Sequence, residues 1–172
     1  DVMVSFPTSD LLPFAYTAIG MINTALKNNA AAEVYLNIVN QGYPEYPGMP
    51  EVLYYLAQIY REKGYTDKAL VYYKKVFESP FENAYIADAG VGYGRALFEK
   101  RQYFDALSIF NYVVARDVKR VYASPELLLN MGQANFELGM SAPARENFMR
   151  VLNLFPDIPD RDVVLSKAGD AY

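Results

Sequence analysis

A small residue inside an apolar stretch, followed by alanine at a gap of 12, recurs four times in this chain: Gly20 and Ala32, Ala57 and Ala69, Gly94 and Ala106, Gly132 and Ala144. The alanines step by 37, 37 and 38 residues. A fixed gap inside a fixed period marks a repeat array, in which one unit cannot bury its apolar face alone and neighbours must stack. The flanks keep the same register. A large side chain precedes each small residue (Ile19, Leu56, Tyr93, Met131), another follows each alanine by four (Leu36, Tyr73, Phe110, Phe148), and Val39, Val76, Val113 and Val151 come three further on. Offsets of three, four and seven are helical, so each half-unit is predicted to be a helix with one buried stripe.

Proline closes the unit at Pro44, Pro80 and Pro156, with Val118 in its place in the third. The expected helices lie near 11–27, 30–41, 50–63, 67–79, 84–100, 103–116, 125–138, 142–154 and 161–172. Thr66 and Ser141 stand where N-caps belong, Gly64 and Gly139 where C-terminal glycines belong, and Pro143 in a first turn that tolerates it.

The pattern large-Leu-Gly/Ala-x-x-Tyr, then Gly, then Ala-x-x-x-Phe/Tyr-x-x-Ala/Val, then Pro, resembles the tetratricopeptide repeat (TPR). The second unit is nearest, with Leu53, Leu56, Ala57, Tyr60, Gly64, Ala69, Tyr73, Val76 and Pro80 at the family positions. The fourth follows with Leu128, Met131, Gly132, Gly139, Ala144, Phe148, Val151 and Pro156. Departures fall at Asn23, Gly90 and Arg101. Against a family unit of about 34 residues, each connection here carries roughly three or four more. Leu165, Ala168, Gly169 and Tyr172 match the opening of a fifth unit. The resemblance implies an all-α, right-handed α-solenoid of four full repeats plus one helix. The repeats run over 13–46, 50–83, 87–120 and 125–158, with a partial one at 162–172, after a lead-in at 1–10.

In such arrays the concave surface is lined by the first helix of each pair. Carried over, the groove positions are Thr17 and Met21; Tyr54, Tyr55, Gln58 and Arg61; Val91, Arg95 and Phe98; and Leu129, Asn130, Gln133 and Phe136. The resemblance implies a scaffold that takes a protein or peptide partner there, with no cofactor, and a style shared with bacterial members. Tyr and Arg are enriched at binding hot spots. For Tyr54 and Tyr55 a second reading stands beside this one, that they cover the neighbouring helix. Tyr60, Tyr73 and Tyr93 are read as core. The clamp by which some family members hold a chaperone C-terminus needs Lys and Asn, then Asn, then Lys and Arg on successive first helices. The window Val91, Arg95, Asn130, Val163 and Lys167 matches it only in part.

Composition narrows the chemistry. Among 172 residues there is no Cys and no His, which removes thiolate nucleophiles, disulfides and the usual zinc ligands. With 16 basic and 20 acidic residues the net charge is -4, giving no footprint for nucleic acid. No catalytic constellation is present, and an enzyme is not expected. The run Gly90-Val91-Gly92-Tyr93-Gly94 lacks a following Lys-Ser/Thr and falls within a helix, so it is not a phosphate cradle. Gly92 is instead read as a dent in the groove beside Arg95. Asp157, Asp160 and Asp162 lack the spacing of a calcium loop, and the last two suit a helix N-terminus. No apolar run reaches the roughly 20 residues that span a bilayer. No signal-peptide pattern opens the chain; it starts on Asp1 and is expected to be cut from a longer polypeptide or processed, with compartment open between cytoplasm and bacterial envelope. Self-assembly through the repeat ends, or service as the targeting part of a larger enzyme, are the alternatives to peptide binding.

Overall fold

The computed structural model describes residues 10–80 and 83–171. It contains ten helices among these: α1 (Leu12–Ala25), α2 (Asn29–Gly42), α3 (Met49–Glu62), α4 (Thr66–Phe77), α5 (Ile86–Glu99), α6 (Tyr103–Arg116), α7 (Arg120–Ala123), α8 (Pro125–Glu137), α9 (Ser141–Leu154) and α10 (Arg161–Asp170). They divide into two compact units, Asp1–Ala89 and Gly90–Tyr172. The expected lead-in at 1–10 lies outside the described residues except for Asp10.

In the first unit α1 packs on α2, α2 on α3 and α3 on α4. In the second, α6 and α9 flank α8, and α10 packs on α9. The small residue of each first helix is where the pair closes. A Cβ added at Gly20 would sit 2.6 Å from the Leu36 side chain, one at Gly94 2.5 Å from Phe110, and one at Gly132 2.6 Å from Phe148. Leu36, Phe110 and Phe148 are at most 1% exposed, as is Ala57, the small residue of the second pair. The repeat therefore works as a notch on one helix and a knob on the next, sixteen positions later in the chain. The alanine of the second helix, also buried at Ala32, Ala69, Ala106 and Ala144, lets the helices approach.

Four first helices end alike. Lys27, Gly64, Arg101 and Gly139 have φ of 60°, 77°, 61° and 72°. At each, the next residue's N–H reaches back five positions: Asn28 to Asn23 (2.9 Å), Tyr65 to Tyr60 (2.8 Å), Gln102 to Leu97 (2.9 Å) and Met140 to Asn135 (2.8 Å). Together with the 2.9 Å bonds of Gly64 to Arg61 and Gly139 to Phe136, this is the Schellman arrangement, which suits glycine because the left-handed region crowds a Cβ. Lys27 and Arg101 adopt it regardless.

That stop displaces two expected caps. The N-cap residues of α4 and α9 are Tyr65 and Met140, without side-chain cap bonds, and Thr66 and Ser141 are the first helical residues. The reason is that the residue after the left-handed one already opens the second helix. A side-chain cap is made at Ser124 instead, whose oxygen accepts from Glu126 N at 3.2 Å before Pro125. Residues 117–124, which lie between the expected helices, are not all connection: α7 forms there, held by the Arg120 Nε to Asp117 bond of 2.9 Å and by wholly buried Val121. Buried polar side chains are satisfied within their own helix: Thr17 donates to the Pro13 carbonyl at 2.7 Å, Asn135 to Met131 at 2.8 Å and Asn147 to Pro143 at 2.9 Å.

Candidate functional site

The expected groove residues separate by unit into two kinds of surface. In the first unit, half-buried Tyr54 and Tyr55 on α3 join an aromatic cluster. Ring centroids lie 5.1 Å apart for Tyr54 and Tyr85, 5.6 Å for Tyr54 and Tyr55, and 6.2 Å for Tyr54 and Tyr73. Gln58 donates to the Tyr54 hydroxyl at 2.7 Å, and the Tyr85 hydroxyl donates to Glu51. Burial, reinforced by the Glu51 charge, pushes the hydroxyl pKa of both Tyr55 and Tyr85 upward, so both stay protonated donors. Arg61 is half-buried in the last turn of α3, where a cation suits the helix dipole. Thr17 is not part of any open surface: it is 2% exposed, turned inward with its hydroxyl on the Pro13 carbonyl, while Met21 is half-buried. Of the tyrosines read as core, Tyr60 and Tyr73 are buried and Tyr93 is half-buried.

In the second unit the first helices carry a polar row. Arg95 on α5 pairs with Glu126 at the start of α8 and approaches Glu99 at 4.0 Å. One turn beyond Glu126 comes Asn130, then Gln133, both half-buried. Gln133 donates to Glu137 at 2.8 Å and accepts from Lys167 of α10 at 2.7 Å. The row thus runs from α5 across α8 to α10 and alternates donors, acceptors and both charges. Val91, Phe98 and Leu129 are half-buried beside it, and Phe136 is 41% exposed. Phe98 leans on Tyr103 with ring centroids 5.5 Å apart. Gly90, Gly92 and Gly94 lie within α5, in helical conformation.

One concavity was not anticipated from the sequence. A cleft of about 490 Å³ opens in the first unit beside Tyr46, Pro47, Met49, Pro50, Leu53 and Lys75. Its signal was the segment Tyr43-Pro-Glu-Tyr-Pro-Gly-Met-Pro50, which holds the extra residues of the first connection. Tyr46 is 8% exposed, packed edge-on against Phe14 at 4.9 Å. Among the described residues no group of three or more acidic side chains could hold a metal ion. No helix among them is long and apolar enough to cross a membrane.

Helix pairs closed by notch and knob, repeated within each unit, define a helical-repeat interaction scaffold. Residues 50–83 and 126–157, one segment in each unit, match tetratricopeptide-repeat family models. The chain is a tetratricopeptide-repeat protein, and its fold is the all-α TPR solenoid. No curated protein sequence matches it. Among solved structures it is similar to MamA of AMB-1, with TM-score 0.77, 16% identity, and coverage of 95% of this chain and 82% of that one. It is also similar to YrrB, a TPR protein with an unusual peptide-binding site (TM-score 0.73, 17% identity, 91% and 74% covered). PilF of Pseudomonas aeruginosa aligns with TM-score 0.68, 21% identity, and coverage of 94% and 68%. The TPR fold is in general a scaffold for protein–protein interaction.

Proposed function

We propose that this protein binds an extended peptide segment of a partner along the polar row of its second unit, with Arg95, Asn130 and Gln133 as the gripping side chains. The observation that carries the reading is the arrangement of the row. An extended strand exposes N–H and C=O groups at regular intervals. A carboxamide such as Asn130 offers a donor and an acceptor together, and so can hold one peptide unit in both directions. Arg95 and Glu126 at one end and Lys167 at the other supply charges that fix the direction of the strand. Gly92, one turn before Arg95 on α5, leaves no side chain beside the guanidinium and makes room for a partner residue. The likeness to YrrB supports peptide binding as the mode.

The tyrosine cluster favours a different role for Tyr54, Tyr55 and Gln58. The rings of Tyr54 and Tyr55 pack on each other and on Tyr85, and this packed apolar surface is the ground for reading them as stiffening the first unit.

Selection of extended peptides from a displayed library against the whole chain tests this. Selected peptides should lose at least tenfold in affinity with Asn130→Ala, Arg95→Ala or Gly92→Leu, at unchanged helical content. Selected peptides that bind all three variants as well as the parent would refute it.

A further inference from the structure

The connection between α2 and α3 carries a concavity of its own, apart from the polar row. The cleft of about 490 Å³ is walled by Tyr46, Pro47, Met49, Pro50 and Leu53. That volume falls within the range of small-ligand clefts, about 300–1,000 Å³. Its shape is set before any ligand arrives. Pro44, Pro47 and Pro50 fix φ at three of seven successive positions. Tyr46 donates its N–H to the Tyr43 carbonyl at 3.0 Å, and Met49 donates to the Tyr46 carbonyl at 2.9 Å. The Tyr46 ring is edge-on to Phe14 and lies across Gly48, where an added Cβ would come within 2.5 Å of it. A concavity held in this way pays little ordering cost on binding. Two charged side chains complete the wall, Glu45 from the connection and Lys75 from α4. Both are exposed, and neither forms an ion pair among the described residues. The Lys75 ammonium stands 5.8 Å from the centroid of the Tyr72 ring, a contact that brings no carboxylate to it.

We infer that this cleft binds a short free peptide of two or three apolar residues, with its terminal ammonium on Glu45 and its terminal carboxylate on Lys75. Opposite charges on two walls of an apolar cleft are complementary to a zwitterion that carries apolar side chains between its ends. Two or three extended residues span roughly 7–10 Å, a length suited to a cleft of this volume. An internal segment of a long partner presents backbone amides where the cleft presents charges. An apolar anion would leave Glu45 unmatched, and an apolar cation would leave Lys75 unmatched. The cleft lies in the first unit and uses none of Arg95, Asn130 and Gln133.

The test titrates four forms of one dipeptide into the whole chain by calorimetry at low ionic strength, where exposed charges are least screened. The forms are L-leucyl-L-phenylalanine, its N-acetyl derivative, its C-terminal amide and the doubly capped molecule. The free dipeptide should bind saturably and most tightly. Each single cap should weaken it at least threefold, a modest factor because both partners are exposed to water. Lys75→Gln should abolish the penalty for amidation and keep that for acetylation; Glu45→Gln should do the reverse. Neither substitution touches the core, so the thermal midpoint should not move. Absence of saturable binding by the free dipeptide overturns the proposal. Doubly capped dipeptide binding as tightly as the free form overturns it in favour of an internal segment of a polypeptide. Both cap penalties persisting in the two variants would place the dipeptide elsewhere on the chain and overturn it as well.

Discussion

The first helices of the two units share one repeat frame and present opposite chemistry. On α3 the outward positions are Tyr54, Tyr55 and Gln58, turned toward one another and toward Tyr85. On α5 and α8 the corresponding stretch is Arg95, Asn130 and Gln133, reaching across to Glu126 and Lys167. Helix pairing rests on the notch, the knob and the buried alanine beside them, so the side chains one turn away are free to differ between repeats. In one unit they form a packed cluster of rings; in the other they form a row of paired polar side chains.

The frame common to both is the place for the largest effect. Phe148→Ala empties the knob against Gly132 and should cost about 3–5 kcal/mol, measured by urea unfolding. A loss below ~1 kcal/mol would mean that the notch does not close the pair. Next comes the contrast itself. Tyr54→Ala should lower stability by roughly 1–3 kcal/mol through lost ring packing, while leaving the affinity of selected peptides unchanged. Asn130→Ala should do the reverse, with affinity down about tenfold, or ~1.4 kcal/mol, and the melting temperature unmoved. If Tyr54→Ala abolished binding and Asn130→Ala did not, the roles of the two units would be exchanged.

Smaller still is the effect of the helix stops. Arg101→Gly relieves a left-handed residue and should stabilise by about 0.5–1 kcal/mol, whereas Gly64→Ala should lose about as much. The smallest effect is electrostatic. Burial would raise the Glu33 carboxyl, but the bonds from Lys63 and Tyr60 outweigh it and hold the pKa below 4.5. A carboxyl whose pKa is depressed in the fold contributes its full stability above the ordinary value and loses it as pH falls from there through the folded-state pKa. Lys63→Gln should therefore flatten the acid limb of a stability-versus-pH curve below about pH 4.5, by a modest amount because both groups are partly exposed.

The repeat frame was legible because its positions demand extremes of size. Gly94 facing Phe110 leaves a signature that no surface pressure blurs. The stops were legible as glycine at Gly64 and Gly139; at Lys27 and Arg101, where the expected helices 11–27 and 84–100 also end, the left-handed turn itself was not, because the backbone bonds impose it on residues other than glycine. The expected caps at Thr66 and Ser141 were one residue late for the same reason. Helix α7 has four residues, too short to show a period. Tyr54 and Tyr55 could not be assigned from sequence because the ring that engages them, Tyr85, lies in a later connection. Likewise Glu126 and Lys167 were not among the expected groove residues, since the pairings with Arg95 and Gln133 join different helices.

The most direct test of the central claim is amide chemical-shift mapping of a selected extended peptide on the isotope-labelled chain. Shifts concentrated on α8 around Glu126, Asn130 and Gln133, with Arg95 and Lys167 moving at the two ends, are the predicted result. Shifts concentrated on Tyr54, Tyr55 and Tyr85, or around Tyr46 and Leu53 in the proline-walled cleft, with α8 silent, would contradict it.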